Sequence, residues 1–489
     1  MCIACRRSFM RGLLGASALL SKPVFAATAA VVSDAPQQAS PLPPRGEFII
    51  RDAYVMTMDP AVNDISAGSV HIKNGEILAV GRDIQAPAAQ VLDGRGMIAL
   101  PGLVETHWHM WNTLLRSMAI EQQKFGYFPT SAQLGAFYAP KDMYHGTRLA
   151  AAEAINSGIT FVHDWCHNPR TPEHARENIR ALQESGIRSR FSYGPARGIP
   201  VTQTLNLDDV ASLHREWNAY SNAGLLTLGL AWRGIQYAVT APDGKMAFQS
   251  IPPEVFRKEY DLARSLDIPI TAHVNIGPKI DFGHVAALQK LGLLYKDLQL
   301  VHMISSTADE IDAVAASGAS VSFSPLTEMR TGFGFAKPAD YLEKGIRVGL
   351  SVDTTTLSGD ADMFDIMKVT ENIVNAMAYS EFKMSARAAL ELGTIGGARS
   401  MGMDDRIGSL TVGKRADVIL VDTRDVNIGV FTDAANMIIG AAQPSNVSLV
   451  MVDGRILKQN GKLTTIDVGQ VSTAAASANS ELRKRAGWW

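Results

Sequence analysis

Residues 101–115 read PGLVETHWHMWNTLL, an apolar, β-branched run that ends in two histidines, His107 and His109. Alternate side chains of a strand point to the same face, so the two imidazoles share one side and Trp108 lies on the other. This arrangement is able to chelate a metal ion, although a lone His-x-His pair also occurs by chance. The remaining sequence has to decide between these two interpretations.

The composition is that of a globular protein that acts on small molecules. The 489 residues are 46% hydrophobic, enough to bury a core in more than one domain, and the formal net charge is −2. This near-neutral balance offers no basic surface for nucleic acid or for an anionic membrane. We therefore expect a small-molecule substrate, no nucleic-acid partner and no membrane anchor.

The first thirty residues have the layout of an export signal. A basic segment with Arg6 and Arg7 precedes a short apolar run and then small residues. The arginine pair resembles the twin-arginine consensus, and the apolar run is too short to span a bilayer. We predict a signal peptide over 1–29, a Pro-rich flexible linker over 30–46, and a periplasmic or secreted protein that is exported folded.

Beyond residue 100, short β-rich runs alternate with helical patterns, which is typical of a parallel α/β sheet. Helices are predicted at 141–158, 172–186 and 307–318, each ending in a glycine that suits a helix C-cap. Strands are predicted at 103–109, 159–165, 188–194, 226–234, 269–275, 298–304, 320–325 and 347–353. Eight strands favour a closed (β/α)₈ TIM barrel over 103–402, with its chemistry at the C-terminal ends of the strands.

Two β-rich pieces flank the predicted barrel. Residues 48–102 and 406–462 show strand alternation and contain Asn-Gly or Asp-Gly pairs, which are typical of hairpin turns. We predict one small β-sandwich domain built from both ends of the chain, over 47–102 and 403–465. Residues 466–489 are predicted to be a C-terminal tail.

Four potential metal ligands fall at the predicted C-terminal ends of barrel strands. His107 and His109 end the first strand, His273 lies in the fifth, and Asp353 ends the eighth. Three imidazoles and a carboxylate at one mouth suit one divalent ion, Zn²⁺ or Fe²⁺, with an open position for water. Water bound there loses a proton near neutral pH and becomes a nucleophile.

The motifs together resemble the amidohydrolase superfamily, in its cytosine deaminase and chlorohydrolase-like branch. They cover residues 48–465 and read PGLVETHWH, TAHV, LVHMISSTADEID, VGLSVD, ALELGTIGGARSMGMDDRIGSL and GSLTVGKRADVILVD. The resemblance implies a single metal ion held by His107, His109, His273 and Asp353. It implies that Asp353 also accepts the proton of the attacking water, and that His302 orients the hydroxide or polarises the bond under attack.

The same resemblance bears on the number of metal ions and on partners. The fourth strand, LTLGLAWRG, contains no lysine that could be carboxylated to bridge two metals, so the resemblance implies a mononuclear site. Members of this branch are commonly homo-oligomers, which makes a second copy of the chain the expected protein partner.

One departure from the branch concerns proton transfer. In its deaminases the strand 5 histidine is followed three positions on by a proton-shuttling glutamate, whereas here Ile276 follows His273. Either another group supplies the proton, or the leaving group is protonated by Asp353 or His302. Glu328, where the branch usually shows an asparagine, is a candidate replacement acid or else a solvated loop carboxylate.

We therefore predict a metal-dependent hydrolase that cleaves a C–N bond of a small cyclic or aromatic compound. The bond belongs to an amide, urea, carbamate or amino-heterocycle. Two alternatives stay open: a deaminase with a substitute acid such as Glu328, and a catalytically weak relative that binds a ligand.

Other residues near the predicted mouth are weaker candidates. The aromatic segment 111–138 is either an apolar lid over the metal, or an oligomer contact or simple core. Cys166 is assigned to packing or pocket lining, Arg116 to an ion pair with a nearby acid, and the glycine-rich stretch 331–338 to a mobile active-site loop. Tentative substrate contacts are Trp111, His163, Asp164, Asn275 and Glu328.

Overall fold

A computed structural model of the chain describes residues 42–240, 246–277 and 283–488. Its strands in chain order are β1 (Glu47–Val55), β2 (Ile65–Lys73), β3 (Glu76–Gly81), β4 (Gln90–Asp93), β5 (Met97–Pro101), β6 (Leu103–Trp108), β7 (Ile159–Cys166), β8 (Arg188–Tyr193), β9 (Leu226–Ala231), β10 (Gln236–Thr240), β11 (Met246–Ser250), β12 (Ile270–Val274), β13 (Leu298–His302), β14 (Ser320–Phe323), β15 (Arg347–Leu350), β16 (Val418–Asp422), β17 (Val447–Val452), β18 (Arg455–Gln459) and β19 (Lys462–Leu463).

The helices of the same residues are α1 (Tyr127–Gly135), α2 (Pro140–Asn156), α3 (Pro172–Ser185), α4 (Leu207–Arg215), α5 (Trp217–Tyr220), α6 (Pro253–Ser265), α7 (His284–Lys290), α8 (Ala308–Ser317), α9 (Pro325–Arg330), α10 (Pro338–Leu342), α11 (Thr355–Ser358), α12 (Met363–Met377), α13 (Ala386–Leu392), α14 (Ile395–Ser400), α15 (Ala434–Ala441) and α16 (Val468–Arg485). Short 3₁₀ turns lie at Met110–Leu115, Gln123–Phe125 and Pro444–Asn446.

Eight parallel strands form a barrel in the order β6, β7, β8, β9, β12, β13, β14 and β15. The barrel closes just beyond the end of β15. There the Asp353 N–H donates to the His107 carbonyl at 2.8 Å, and the His109 N–H donates to the Asp353 carbonyl at 2.7 Å. Each strand overlaps its predicted range, and the prediction of a TIM-type barrel is confirmed.

Two of the helices that cover the barrel end at a glycine. Helix α3 stops at Gly186 and α8 at Gly318, both left-handed, with φ of 75° and 72°. A residue with a Cβ is disfavoured in this conformation, so glycine ends the helix at little cost and the chain turns back to the next strand. The three helices predicted over 141–158, 172–186 and 307–318 correspond to α2, α3 and α8.

Both ends of the chain join in one sheet beside the barrel. Its order is β19, β18, β17, β16, β5, β1, β2 and β3, with β4 beside β1. The turns Asn74–Gly75, Asp453–Gly454 and Asn460–Gly461 have positive φ at both residues, as type I′ hairpin turns require. A Cβ on Gly454 would lie only 2.6 Å from the Gly75 Cα, so the sheet curls until two of its hairpins touch.

The curled sheet encloses a core to which both chain ends contribute. Apolar side chains of β1, β2, β16 and β17 pack together there, among them Ile50, Val70, Val418 and Met451. The prediction of a small β domain built from the two ends of the chain is confirmed. The barrel is inserted between its halves.

A buried ion-pair cluster ties this domain to the barrel. Arg188, at the start of β8, donates to both carboxylate oxygens of Asp417, at 2.7 and 2.9 Å, and to Asp453 at 3.4 Å. All three side chains are at most 2% exposed. A buried guanidinium is tolerated here because carboxylates face it.

The two ends of the sequence differ in what the structure describes. The predicted signal peptide over 1–29 and residues 30–41 of the predicted linker lie outside the described residues, and 42–46 form neither helix nor strand. The predicted tail contains α16, where Asn479 donates to the Leu114 carbonyl at 2.6 Å. Within the described part of the chain, no helix has both the length and the apolar character needed to cross a membrane.

Candidate metal centre

The side chains predicted to bind metal meet at the C-terminal mouth of the barrel. Nε2 of His107 and Nε2 of His109 each lie 3.3 Å from Oδ1 of Asp353. Nε2 of His273, on β12, lies 3.2 Å from Nε2 of His107. The ligand atoms of His107, His273 and His302 also lie within 4.8 Å of one another. We call these five residues the mouth cluster.

The backbone of the mouth cluster is strained. Asp353 has φ of 61°, His302 has φ of 77° and the neighbouring Asn275 has φ of 47°. Residues with a Cβ rarely adopt this left-handed region, and each costs on the order of 1–3 kcal/mol. Such strain persists where the surrounding structure imposes it, and the closing hydrogen bonds of Asp353 impose it here.

The protonation states of the cluster follow from burial and hydrogen bonding. Burial and the nearby His107 lower the pKa of His109 to about 3, and burial also lowers the pKa of His107 and of His273. Burial alone would raise the pKa of Asp353. The hydrogen bond and charge of His107, with further contributions from His109 and His302, outweigh burial and lower it. The site therefore combines an ionised carboxylate, Asp353, with neutral imidazoles at His109 and His273.

This donor set fits a divalent cation. Nδ1 of His109 lies 3.0 Å from the Trp165 carbonyl and donates to it, which leaves a lone pair on Nε2. The 3.2 Å between Nε2 of His107 and Nε2 of His273 also matches the separation of two nitrogen ligands that each lie about 2.0–2.1 Å from a tetrahedral zinc ion. Three nitrogens and one carboxylate oxygen are ligands that Zn²⁺ and Fe²⁺ accept.

His302, at the end of β13, is held by Glu328. Its Nδ1 lies 3.0 Å from Glu328 Oε1, which also accepts the Ser324 N–H at 2.8 Å. Glu328 has no exposed surface, and burial raises its pKa while the hydrogen bond from His302 opposes that rise. The expectation of a solvated loop carboxylate is corrected: Glu328 lies in α9, which turns its side chain inward beneath His302.

A cavity of about 690 Å³, including its open mouth, lies over the cluster. Its walls are largely aromatic and consist of Tyr127, Phe128, Trp165, Trp232, Tyr237, Phe248 and Phe333. The other described lining residues are His109, His167, Arg197, Arg233, Gln236, His273, Ile276, His302, Thr331, Asp353 and Leu357. Ile276, three positions after His273, lines this cavity with an aliphatic side chain.

Two guanidinium groups face this cavity and differ in their partners. Arg233 donates to Glu259 Oε1 at 2.6 Å, and both side chains are fully buried. Arg197 contacts no carboxylate among the described residues, and its buried Nε has no hydrogen-bond partner there. Among the described residues, the cavity therefore carries one guanidinium group, that of Arg197, without a carboxylate partner.

The structure places most of the tentative substrate contacts away from the cavity. His163 points into the barrel below the mouth cluster, where its nitrogens bond to the Thr106 carbonyl at 2.9 Å and to Ser192 Oγ at 2.8 Å. Asp164 points outward and accepts from Asn178 on α3; burial raises its pKa to about 7. Successive residues of a strand alternate sides, so these neighbours could not both face a substrate.

The other candidates are also engaged within the protein. Asn275 donates to Ser306 and accepts the first backbone N–H of α7. Trp111 is fully buried and donates to His167 at 3.3 Å. Arg116 pairs with Glu153, and Cys166 lies buried beside Asn178.

The aromatic segment 111–138 divides between the two roles considered for it. Tyr127 and Phe128 line the cavity, whereas Phe125 packs against Trp488. The predicted active-site loop over 331–338 also reaches the cavity, through Thr331 and Phe333.

Sequence reasoning missed several cavity residues. Trp165 and His167 follow His163 at alternate positions, and strand alternation would have placed them on the same inner side. Arg197 lies on the loop after β8, and Phe248 lies on β11 of the hairpin inserted after β9. Neither residue belongs to a motif that marked it.

Comparison with known proteins identifies the family. A family model described as "Amidohydrolase family" matches residues 98–457. The chain belongs to the amidohydrolase family. Two deaminases are among the relatives of this amidohydrolase. The 5'-deoxyadenosine deaminase of Methanosarcina mazei is 28% identical over 457 residues, covering 90% of this chain and 99% of the relative. The 5-methylthioadenosine/S-adenosylhomocysteine deaminase of Halobacterium salinarum is 29% identical over 439 residues, covering 86% and 96%.

Solved structures share the amidohydrolase fold. An adenosine deaminase from Xanthomonas campestris with bound zinc superposes with a TM-score of 0.77 at 24% identity, covering 90% of this chain and all of that one. An atrazine chlorohydrolase from Arthrobacter aurescens complexed with zinc gives 0.75 at 22% identity, covering 88% and 100%. The prediction of an amidohydrolase-type hydrolase acting on non-peptide C–N bonds is confirmed. The described residues hold a histidine-rich potential metal site, and both structures contain zinc.

Proposed function

We propose that this amidohydrolase deaminates an aromatic nitrogen heterocycle at a single zinc ion held by His107, His109, His273 and Asp353. The observation that carries the proposal is the aromatic-walled cavity whose floor is the mouth cluster. Flat, apolar walls favour binding of a planar ring. The mouth cluster at the cavity floor then determines which ring carbon lies close enough to react. The deaminase names of the relatives support the same chemistry.

The protein side chains have defined tasks in this reaction. When bound, the ion supplies a hydroxide from water at neutral pH. Asp353, ionised at the cavity floor, accepts a proton of the attacking water. The water oxygen bonds to the ring carbon, the C–N bond breaks, and Asp353 returns its proton to the departing nitrogen as ammonia leaves. His302, protonated on both nitrogens and bonded through Nδ1–H to Glu328, donates a hydrogen bond from Nε2 to the ring atom that gains electron density during the attack.

The His302–Glu328 pair is the proposed source of hydrogen bonding and charge at the site, because the strand 5 glutamate of the related deaminases is replaced by Ile276 in this chain. Ile276 has neither a proton nor a charge to offer, whereas Glu328 Oε1 accepts from His302 Nδ1 at 3.0 Å. This contact fixes the ring orientation of His302 next to His273, with ring centroids 5.4 Å apart. Glu328 therefore acts through His302 and does not line the cavity among the described residues.

Arg197 limits which chemical groups we expect on the substrate. A half-buried guanidinium that has no carboxylate partner in the part of the chain that the structure describes favours a substrate with an anionic or hydrogen-bond-accepting group away from the reacting carbon. A neutral, purely apolar ring would leave this donor unmatched in the cavity wall.

Hydrolysis of an amide, urea or carbamate is the second candidate. Ile276 favours it, because the position from which the branch protonates a heterocycle holds an aliphatic side chain. In that case the same water attack splits the substrate into an amine and an acid.

The test is a mass-spectrometric screen of the zinc-loaded and the iron-loaded full chain. Adenine nucleosides, aminotriazines, amides, ureas and carbamates are incubated with the protein, and ammonia is measured in parallel. We expect ammonia release with oxygen in place of the amino group on an intact ring. Splitting into an amine and an acid would establish the second candidate, and no turnover of either class would contradict a hydrolase role. Chelation should abolish turnover, and one equivalent of zinc should restore it.

We also propose export through the twin-arginine-type segment, on the basis of residues 1–29 of the sequence. Replacing Arg6 and Arg7 by lysine keeps the charge and removes the guanidinium pair. We expect the double variant to accumulate in the cytoplasm, as measured by cell fractionation. Unchanged distribution would contradict this proposal.

A further inference from the structure

A second cavity lies at the opposite end of the barrel from the mouth cluster. Its lining residues begin strands instead of ending them: Ile270 starts β12, Ser320 starts β14 and Arg347 starts β15. Lys296 and Asp297 come directly before β13. We call this space the base cavity.

Arg190 of β8 is buried in the base cavity and forms no ion pair with a carboxylate of the described residues. The residue is 8% exposed, and one of its nitrogens donates to the Met401 carbonyl at 2.9 Å. Its Nε has no hydrogen-bond partner among the described residues, and no carboxylate of those residues lies in ion-pair contact with it. Arg188, two positions earlier on the same strand, is just as buried but is matched by Asp417 and Asp453.

The barrel is shaped to accept the Arg190 side chain. A Cβ on Gly229 of the neighbouring strand β9 would lie 3.2 Å from Arg190 Cδ and 2.6 Å from Ser192 Oγ. Glycine at this position leaves the volume in which the guanidinium lies. Burial lowers the pKa of Arg190 to about 10, so the group stays charged at neutral pH.

The other charges around the base cavity are mostly positive. Lys296 is exposed at its rim and forms no ion pair with a described residue. Arg347 is occupied by the Lys296 and Gly318 carbonyls, at 2.7 and 2.6 Å. Asp297 also lines the cavity; its negative charge raises the pKa of Arg190 against the effect of burial, and its carboxylate lies 3.7 Å from Arg264. An anion entering the cavity therefore meets Arg190 and Lys296, with Asp297 as the one carboxylate among the described lining residues.

We propose that the base cavity binds a small oxyanion of the phosphate class, with Arg190 and Lys296 as its cationic donors. An unpaired buried charge costs several kcal/mol, and a bound anion offsets this cost. Guanidinium presents parallel N–H groups that match two oxygens of a tetrahedral anion, and the ammonium of Lys296 adds a point charge at the rim. The neighbouring hydroxyl groups are already committed, since Ser320 donates to the Ser400 carbonyl at 2.7 Å.

The test measures phosphate binding to the zinc-loaded full chain by calorimetry and by thermal unfolding at constant ionic strength. Chloride serves as the reference anion, and glycerol 1-phosphate serves as a phosphate monoester. We expect saturable stabilisation by phosphate, because a ligand that binds the folded state raises its stability with concentration. Binding of inorganic phosphate alone would identify the free ion as the ligand, and binding of both would identify the phosphate group.

Variants locate the bound ion. Arg190→Met should abolish the phosphate effect, and Lys296→Met, which changes an exposed side chain, should weaken affinity about tenfold. Lys462→Met, at the edge strand β19, is the matched control and should bind as the wild type. Asp353→Asn should also retain binding, which separates the base cavity from any phosphate at the mouth cluster.

Two results would overturn the proposal. One is the absence of saturable stabilisation by either phosphate compound relative to chloride. The other is wild-type affinity in Lys296→Met, a variant whose folding does not depend on a buried side chain. Water alone would then occupy the space around Arg190.

Discussion

The mouth cluster and the layer beneath it both hold buried histidines inside the same barrel, but their hydrogen bonding differs. Both ring nitrogens of His163 are used by the protein, through Thr106 and Ser192. His109 uses only Nδ1 for the protein and turns Nε2 toward His107 and Asp353. Burial alone therefore does not distinguish a metal-ligand histidine from a structural one. The distinguishing feature is a ring nitrogen that points toward the other potential ligands of the mouth cluster.

We expect the largest loss of turnover from a substitution in the mouth cluster. Asp353→Asn keeps the shape of the side chain but removes its charge and its ability to accept a proton. We expect turnover to fall by at least about 10³-fold, together with weaker zinc retention measured by elemental analysis. Asp297→Asn at the base cavity is the control and should keep full turnover. A slow but substantial reaction in Asp353→Asn would show that another group accepts the proton.

The second prediction separates orientation from charge at Glu328. Glu328→Ala removes the acceptor for His302 Nδ1, and we expect kcat to fall about 100-fold with little change in zinc content. Glu328→Gln retains an acceptor oxygen and should lose only about tenfold, with a shifted pH profile of kcat. Equal losses in both variants would show that charge is what matters. Glu310→Gln, a buried glutamate that caps α8, is the control.

Substitution of Arg197 is expected to have a smaller effect, which changes substrate binding and leaves the chemical step unchanged. Arg197→Met removes a positive charge from the cavity wall, so we expect KM to rise about tenfold for a substrate with an anionic group while kcat stays within about twofold. A neutral analogue should show no such rise. Arg215→Met, an exposed site on α4, controls for net charge. Loss of kcat instead of KM would place Arg197 at the reacting atoms.

The smallest effect on turnover is expected below the mouth cluster. His163→Asn loses at least one of two buried hydrogen bonds, which costs about 1–3 kcal/mol of unfolding free energy. Urea unfolding measures that loss, and kcat/KM of the folded variant should match the wild type. A strong loss of turnover at full zinc content would contradict the distinction between the two layers.

The barrel and its metal-ligand candidates were accessible from sequence because short patterns determine them. Glycine at the helix ends and β-branched runs between them gave the alternation of helix and strand, and the hairpin dipeptides fixed the turns of the β domain. His107, His109, His273 and Asp353 lie at strand ends, where the topology of a barrel alone brings them together. These features depend on local conformation and chain order.

The cavity wall was less accessible because it depends on loops and on side-chain direction. Asp164 and His163 are neighbours in sequence but lie on opposite sides of β7, and only the strand register decides which one faces inward. Arg197 and Phe248 reach the cavity from connections of irregular length. Glu328 is buried because α9 packs it under His302, a tertiary contact with no sequence signature.

The hydrogen bonds that close the barrel have a consequence for the order of folding. The first and last strands meet through the backbone of His107, His109 and Asp353, so these residues become neighbours only after the chain between them has formed its strands. Contacts between such distant residues carry a high loop-closure cost and form late. Uptake of the proposed ion would then be a step of the completed barrel, and a bound ion would hold the two ends of the barrel sequence together against unfolding.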